Sequence, residues 1–145
     1  MIEGFHHTGI VVKDLEGMVR FYTQVLGLRI LRRIDSVAPP EGDHTGIPGA
    51  RRQLVFVGFP GDHQIELVHF VDPPAPQGHL DKHQLGAGHV CFDVKDLRQT
   101  YAELRGLGVR FVTEPKFRSY RNAELGIVYA RDPEGNWLEF VQGLH

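Results

Sequence analysis

Apolar residues gather into short runs along the chain, and two of those runs begin alike. HTGIVVKDL at residues 7–15 returns as HVCFDVKDL at residues 89–97, with His, Val, Lys, Asp and Leu recurring at one offset (89 − 7 = 82; 97 − 15 = 82). In each copy the apolar stretch, residues 10–12 or 90–92, reads as a short buried strand. Asp14 and Asp96 then stand where a helix N-cap belongs, each carboxylate able to accept orphan backbone N–H groups. Leu15, Met18, Val19, Tyr22, Val25 and Leu26 follow the first cap at helical spacing, and Leu97, Tyr101, Leu104 and Leu107 follow the second. Two amphipathic helices are predicted, closed by Gly27 and Gly108.

Strand material follows each helix, at residues 28–34, 53–59 and 64–70 in the first half and 110–113, 126–131 and 137–141 in the second. The halves also end alike: Pro60 precedes Glu66, and Pro133 precedes Glu139, by the same interval (66 − 60 = 6; 139 − 133 = 6). The chain is therefore a β-α-β-β-β unit used twice. Residues 1–71 form one module and residues 86–145 the other. Between them, residues 72–85 (DPPAPQGHLDKHQL) read as a linker or a strap over the surface. The polar insertion at residues 35–50 reads as a long loop, a length that marks function more often than idleness. Each sheet is too small to bury its own faces, so the modules are expected to share one core as a single domain.

Composition narrows the function. A chain of 145 residues with 41% hydrophobic and 23% charged residues has the profile of a soluble globular domain. A formal charge of −2 offers no excess of cations for nucleic acid or an anionic membrane. The lone Cys91 excludes an intramolecular disulfide and fits a reducing cytoplasm, and its apolar setting predicts a buried, inert thiol. No signal peptide or membrane span is expected.

The chemistry lies at the two ends of each module. A histidine opens the first strand and a glutamate sits in the last, giving His7, Glu66, His89 and Glu139. Taken singly, such a histidine is a core or edge residue and such a glutamate a solvent-side strand position. Duplicated at equivalent places, they suggest a four-ligand site for a divalent transition metal, formed where pseudo-twofold modules converge.

HTGIVVKDLEGMVRFYTQVLGL, QIELVHF, GAGHVCFDVKDL and RDPEGNWLEF together resemble the vicinal-oxygen-chelate superfamily, which includes glyoxalase I, methylmalonyl-CoA epimerase, extradiol dioxygenases and antibiotic-resistance proteins. The resemblance implies an α+β fold of paired βαβββ modules whose mixed sheets form a cup around a divalent metal (Ni, Co, Zn, Fe or Mn). It places the metal ligands on His7, Glu66, His89 and Glu139. It also implies that Glu139 leaves the metal to act as base while Glu66 returns a proton. A complete ligand set favours the glyoxalase I-like branch, a metal-dependent lyase or isomerase that abstracts a proton next to a carbonyl of a small substrate. An epimerase, an extradiol-type dioxygenase and a non-catalytic small-molecule-binding resistance protein remain as alternatives. The resemblance further implies a homodimer, and the cysteine content a cytoplasmic one. Two positions depart from the bacterial glyoxalase I pattern. Val11 and Phe70 stand where an arginine and an asparagine would help hold glutathione.

Strand alternation puts Cys91 and Asp93 on the face of His89, and Trp137 on that of Glu139. Arg51, Arg52, Lys116, Arg118, Tyr120 and Arg121 are candidates to grip a substrate carboxylate or phosphate, Arg51, Arg118, Tyr120 and Arg121 foremost. His44, His63, His69, His79 and His83 have no repeat counterparts and are read as non-ligands. His6 is expected on the opposite strand face from His7.

Overall fold

The run behind the first histidine forms β1 (His7–Val11), and Asp14 caps α1 (Leu15–Arg20), its Oδ1 accepting from the Gly17 N–H at 2.9 Å. The helix runs on as a π-helical turn, Phe21–Val25, and the chain reverses at Gly27, whose φ of 79° suits a residue without Cβ. β2 (Arg29–Val37), β3 (Arg51–Gly58) and β4 (Gln64–Asp72) complete the pattern. The second copy opens with β5 (His89–Asp93) and α2 (Leu97–Gly106), where Asp96 Oδ1 accepts from the Gln99 N–H at 3.0 Å. β6 (Arg110–Phe111), β7 (Lys116–Tyr120), β8 (Ala123–Arg131) and β9 (Trp137–Gln142) follow. This computed structural model describes residues 1–120 and 123–143. The chain divides into two compact units, Met1–Gln77 and Gly78–His145.

Each unit carries one mixed sheet, so the fold is α+β. The first has the order β1-β4-β3-β2, with β1 parallel to β4 and the other pairs antiparallel. In the second the order is β5-β9-β8-β6, again with one parallel pair, β5 and β9. β7 is the departure from the sequence reading. β6 and β7 pair in succession with β8, so the second unit has one strand more than the first. KFRSY alternates cations with aromatic and small residues and carries no apolar run, which is why it escapes a reading based on burial.

Alternation divides each sheet into two faces. In the first unit Val55, Val57, Ile65 and Leu67 are buried, as are Leu15, Met18, Val19 and Tyr22 of the helical segment that packs on β3 and β4. In the second unit Val128, Ala130, Leu138 and Phe140 are buried with Leu97 and Leu104 of α2. An aromatic chain Tyr101–Phe111–Phe140–Phe92, with centroids 4.7, 6.0 and 5.6 Å apart, extends that core. The alternate residues, His7 and Glu66 or His89 and Glu139 among them, occupy the other face of each sheet.

Two loops are tied down. Arg52, 5% exposed, donates to Ser36 Oγ at 2.9 Å and to Asp43, which itself accepts from the Thr45 N–H and hydroxyl. That network pins the 38–50 loop onto β2 and β3. The segment after Gly78 is a strap on the second unit, where the Trp137 indole N–H donates to the Leu80 carbonyl at 2.9 Å. Among the described residues no helix is long and apolar enough to cross a membrane.

Candidate functional site

Cross-strand rows build the site. In the first unit one row reads His7, Gln64, Gly58 and Arg29, and the next reads Gly9, Glu66, Phe56 and Arg32. In the second unit the matching rows read His89, Trp137, Arg131 and Arg110, then Cys91, Glu139 and Tyr129. Histidine and glutamate are thus diagonal neighbours on a parallel strand pair in both units. Their geometry agrees closely. His7 Nε2 lies 3.1 Å from Glu66 Oε2, and His89 Nε2 lies 3.0 Å from Glu139 Oε2. In both pairs the imidazole is the more open partner (34% and 41% exposed) and the carboxylate the more covered (17% and 15%).

An aromatic ring holds each imidazole edge-on. Phe56 stands 5.5 Å from His7 with the planes at 83°, and Tyr129 stands 5.2 Å from His89 at 80°. Sequence reasoning missed this pair, although a signal was present: each aromatic precedes its glutamate by the same interval (66 − 56 = 10; 139 − 129 = 10). Arg32 lies over the Phe56 ring at 3.8 Å.

The second pair sits in a more polar setting than the first. Cys91 is exposed, contrary to the expectation of burial, because it shares the open face with His89 while Val90 and Phe92 turn toward the α2 side. Its thiol is nonetheless pushed up to about 12, first by partial burial and then by the neighbouring Glu139 carboxylate, so it is a poor nucleophile at neutral pH. The Tyr129 hydroxyl is also raised, by burial and then by Glu139 and Cys91. In the first unit Gly9 and Phe56 hold these places, with neither thiol nor hydroxyl.

Within each unit the donors are one imidazole nitrogen and one carboxylate oxygen, the types that suit borderline divalent metals. Among the described residues no three or more His, Cys, Asp or Glu side chains are placed so that they could hold a metal ion. His6 departs from the expected opposite face. It precedes β1, where strand alternation does not apply, and its Nδ1 meets His7 Nδ1 at 2.7 Å. The five histidines read as non-ligands make other contacts. His63 bonds Thr8 Oγ1 at 2.8 Å, His69 reaches the Val12 carbonyl at 3.2 Å, and His44 and His83 face Asp43 and Asp81 at 3.8 and 3.5 Å. His79 packs by Gly135.

The candidate substrate residues scatter. Arg51 opens β3 opposite Val37 and Asp72, five positions from Phe56 along the strand, roughly 16 Å away. Arg52 is committed to the loop. Lys116 and Arg118 share the face of Tyr129 through their register with Ile127 and Leu125. Tyr120 lies in β7 opposite Ala123, with its backbone alone described, and Arg121 lies outside the described residues.

The family model for the Glyoxalase/Bleomycin resistance protein/Dioxygenase superfamily matches residues 4–140. A lactoylglutathione lyase of Pseudomonas aeruginosa is 33% identical over 152 residues, spanning 95% of this chain and 81% of that protein. A probable lactoylglutathione lyase of Synechocystis sp. is 31% identical, across 94% of this chain and 92% of that one. In fold, a glyoxalase family protein from Bacillus cereus superposes with a TM-score of 0.85 at 24% identity, covering 100% of this chain and 97% of the other.

Proposed function

The chain belongs to the glyoxalase/bleomycin resistance protein/dioxygenase superfamily, and within it we propose a divalent-metal-dependent lyase or isomerase acting on a small carbonyl compound. The supporting observation is the duplicated pair, with His Nε2 and Glu Oε2 brought to 3.1 and 3.0 Å by the same cross-strand diagonal. On this reading His7, Glu66, His89 and Glu139 together hold one ion. When bound, that ion supplies Lewis-acid polarisation of the substrate carbonyl. Glu139 takes the proton from the carbon beside the carbonyl, and Glu66 is the second carboxylate, which hands a proton back. Phe56 and Tyr129 keep the two imidazoles from turning. The protein works as a cytoplasmic homodimer on the same reading, and light scattering on the purified protein checks the dimer.

The relatives' names make the glutathione–methylglyoxal hemithioacetal the first substrate to try, in ²H₂O, with α-hydroxy-ketones and acyl thioesters beside it. Wild-type protein reconstituted with Ni, Co or Zn is expected to turn over one of these with solvent deuterium entering the product. Glu139→Gln lowers that turnover by roughly 10²-fold or more. Unchanged turnover in Glu139→Gln removes it as the base. Failure of the wild type to take up metal favours a small-molecule-binding protein instead. Deuterium exchange without net conversion assigns an epimerase, and iron with oxygen-dependent cleavage of a catechol assigns the dioxygenase.

A further inference from the structure

The two units, compared position by position on their His/Glu faces, agree at the ligand pair and part company beside the histidine. In the first unit the strand neighbours of His7 are Gln64 and Gly58. Gly58 has little room for a side chain, since a Cβ there meets the His63 carbonyl oxygen at 3.1 Å. In the second unit the same two places are Trp137 and Arg131. The Arg131 guanidinium lies over the Trp137 ring at 3.8 Å, and the Lys82 ammonium lies 5.3 Å from the same ring. The indole is itself anchored to the strap through the Leu80 carbonyl.

Three cations, Arg131, Lys82 and Arg110, gather around that ring and its strand neighbours. Arg110 is directly opposite Arg131, a like-charge cross-strand pair that is unfavourable without a counter-ion. Arg110 uses its Nη2 on the Asp132 and Pro133 carbonyls, at 3.4 and 3.3 Å. Asp132 is fully buried and accepts from the Glu134 and Asn136 amides. Asp81 lies 3.6 Å from Lys82 and 3.9 Å from Arg131, both ion pairs beyond hydrogen-bond distance. Stacking fixes the plane of a guanidinium and leaves its N–H edge for an acceptor.

We propose that Arg131, bedded on Trp137 beside His89 and helped by Lys82, is an oxyanion subsite that binds a carboxylate or phosphate carried by the substrate. The assignment of that anion to the substrate rests on the metal-dependent reading above, whereas the subsite stands on its own residues. A structural staple holding the strap would need Trp137 and the Leu80 carbonyl but no second cation. The substrate class is therefore a small carbonyl compound with an acidic group remote from the carbonyl.

Trp137 is the only tryptophan of the chain, so its emission reports the subsite directly. Metal-free protein is titrated with potassium phosphate and, separately, with sodium acetate, at ionic strength held constant with KCl. A saturable change in emission with at least one anion is expected. Arg131→Met weakens it about tenfold or more, Arg131→Lys by less, and Arg105→Met, on α2 at the other face of the sheet, leaves it in place. Preference for phosphate or for acetate identifies which oxyanion the substrate carries. No saturable change in the wild type, or equal titrations in wild type and Arg131→Met, overturns the subsite. Should Arg131→Met fail to fold, equal titrations of wild type and Arg131→Lys overturn it instead. Glu66→Ala separates the two ideas. It is expected to lose metal and keep the anion response, so failure of one reading leaves the other measurable.

Discussion

Each histidine of the two pairs meets the edge of an aromatic ring, and that ring is the register partner of the glutamate beside it. Histidine and glutamate were legible in the sequence because a duplicated chain repeats what it needs. The rings were not, because a phenylalanine and a tyrosine in apolar strands look like core until the register is known. The case of Arg52 runs the other way. By composition it belonged with the anion-gripping cations, yet its side chain is buried and spent on Asp43 and Ser36. Asp43 is lowered to about 2, chiefly by the Thr45 hydroxyl and amide, with Arg52 adding to the effect. A carboxylate depressed in the folded state stabilises fully above its unfolded value near 3.8 and loses that contribution as the pH falls through about 2. The 38–50 loop should therefore stay pinned from pH 7 to pH 4. Carboxyl ¹³C shifts are expected to place the Asp43 midpoint near 2, and Arg52→Met to raise it and speed proteolysis of the loop at neutral pH. A midpoint near 3.8 in the wild type would show that the network does not hold in solution.

Among the elements, helices were the most legible and the second unit's strands the least. Both N-caps fall on the repeated aspartates, and both chain reversals fall on positive-φ glycines. β7 went unread because a strand that covers an edge needs no apolar alternation. Its packing depends on a residue no pattern would flag. A Cβ on Gly126 would stand 2.6 Å from Phe117 Cε1 and 2.9 Å from Leu97 Cδ2, so β7 and α2 close over that position only because it is glycine. Gly126→Ala should cost about 1–3 kcal/mol through overpacking and lower Tm by roughly 3–8 °C. The strap offers a second check. Trp137→Phe removes the donor to the Leu80 carbonyl, and trypsin should then cut after Lys82 faster than in wild type while Tm changes little. Equal cleavage rates would mean that the strap is held by other contacts.

For the whole molecule, the duplication legible at the start of the chain becomes two units with the same strand order, β7 apart, and the same His/Glu diagonal. What the repeat could not convey is that the units have diverged around it. One surrounds its pair with Gly9, Gly58 and Phe56, the other with Cys91, Arg131 and Tyr129. On the proposed lyase reading such divergence suits the two carboxylates, because a base and a proton-returning acid need different environments. It also makes the four-ligand reading sharply testable by counting metal. A single imidazole–carboxylate pair is a weak chelate, whereas two pairs on one ion complete the usual four-coordinate set. One equivalent of Ni or Zn per chain is therefore expected in the wild type. Removing either pair, by His7→Ala with Glu66→Ala or by His89→Ala with Glu139→Ala, should empty the protein almost completely. Two equivalents in the wild type, falling to one in each double variant, would instead mean that every unit binds metal alone. The lyase reading, which needs both carboxylates at one ion, would then fall with it.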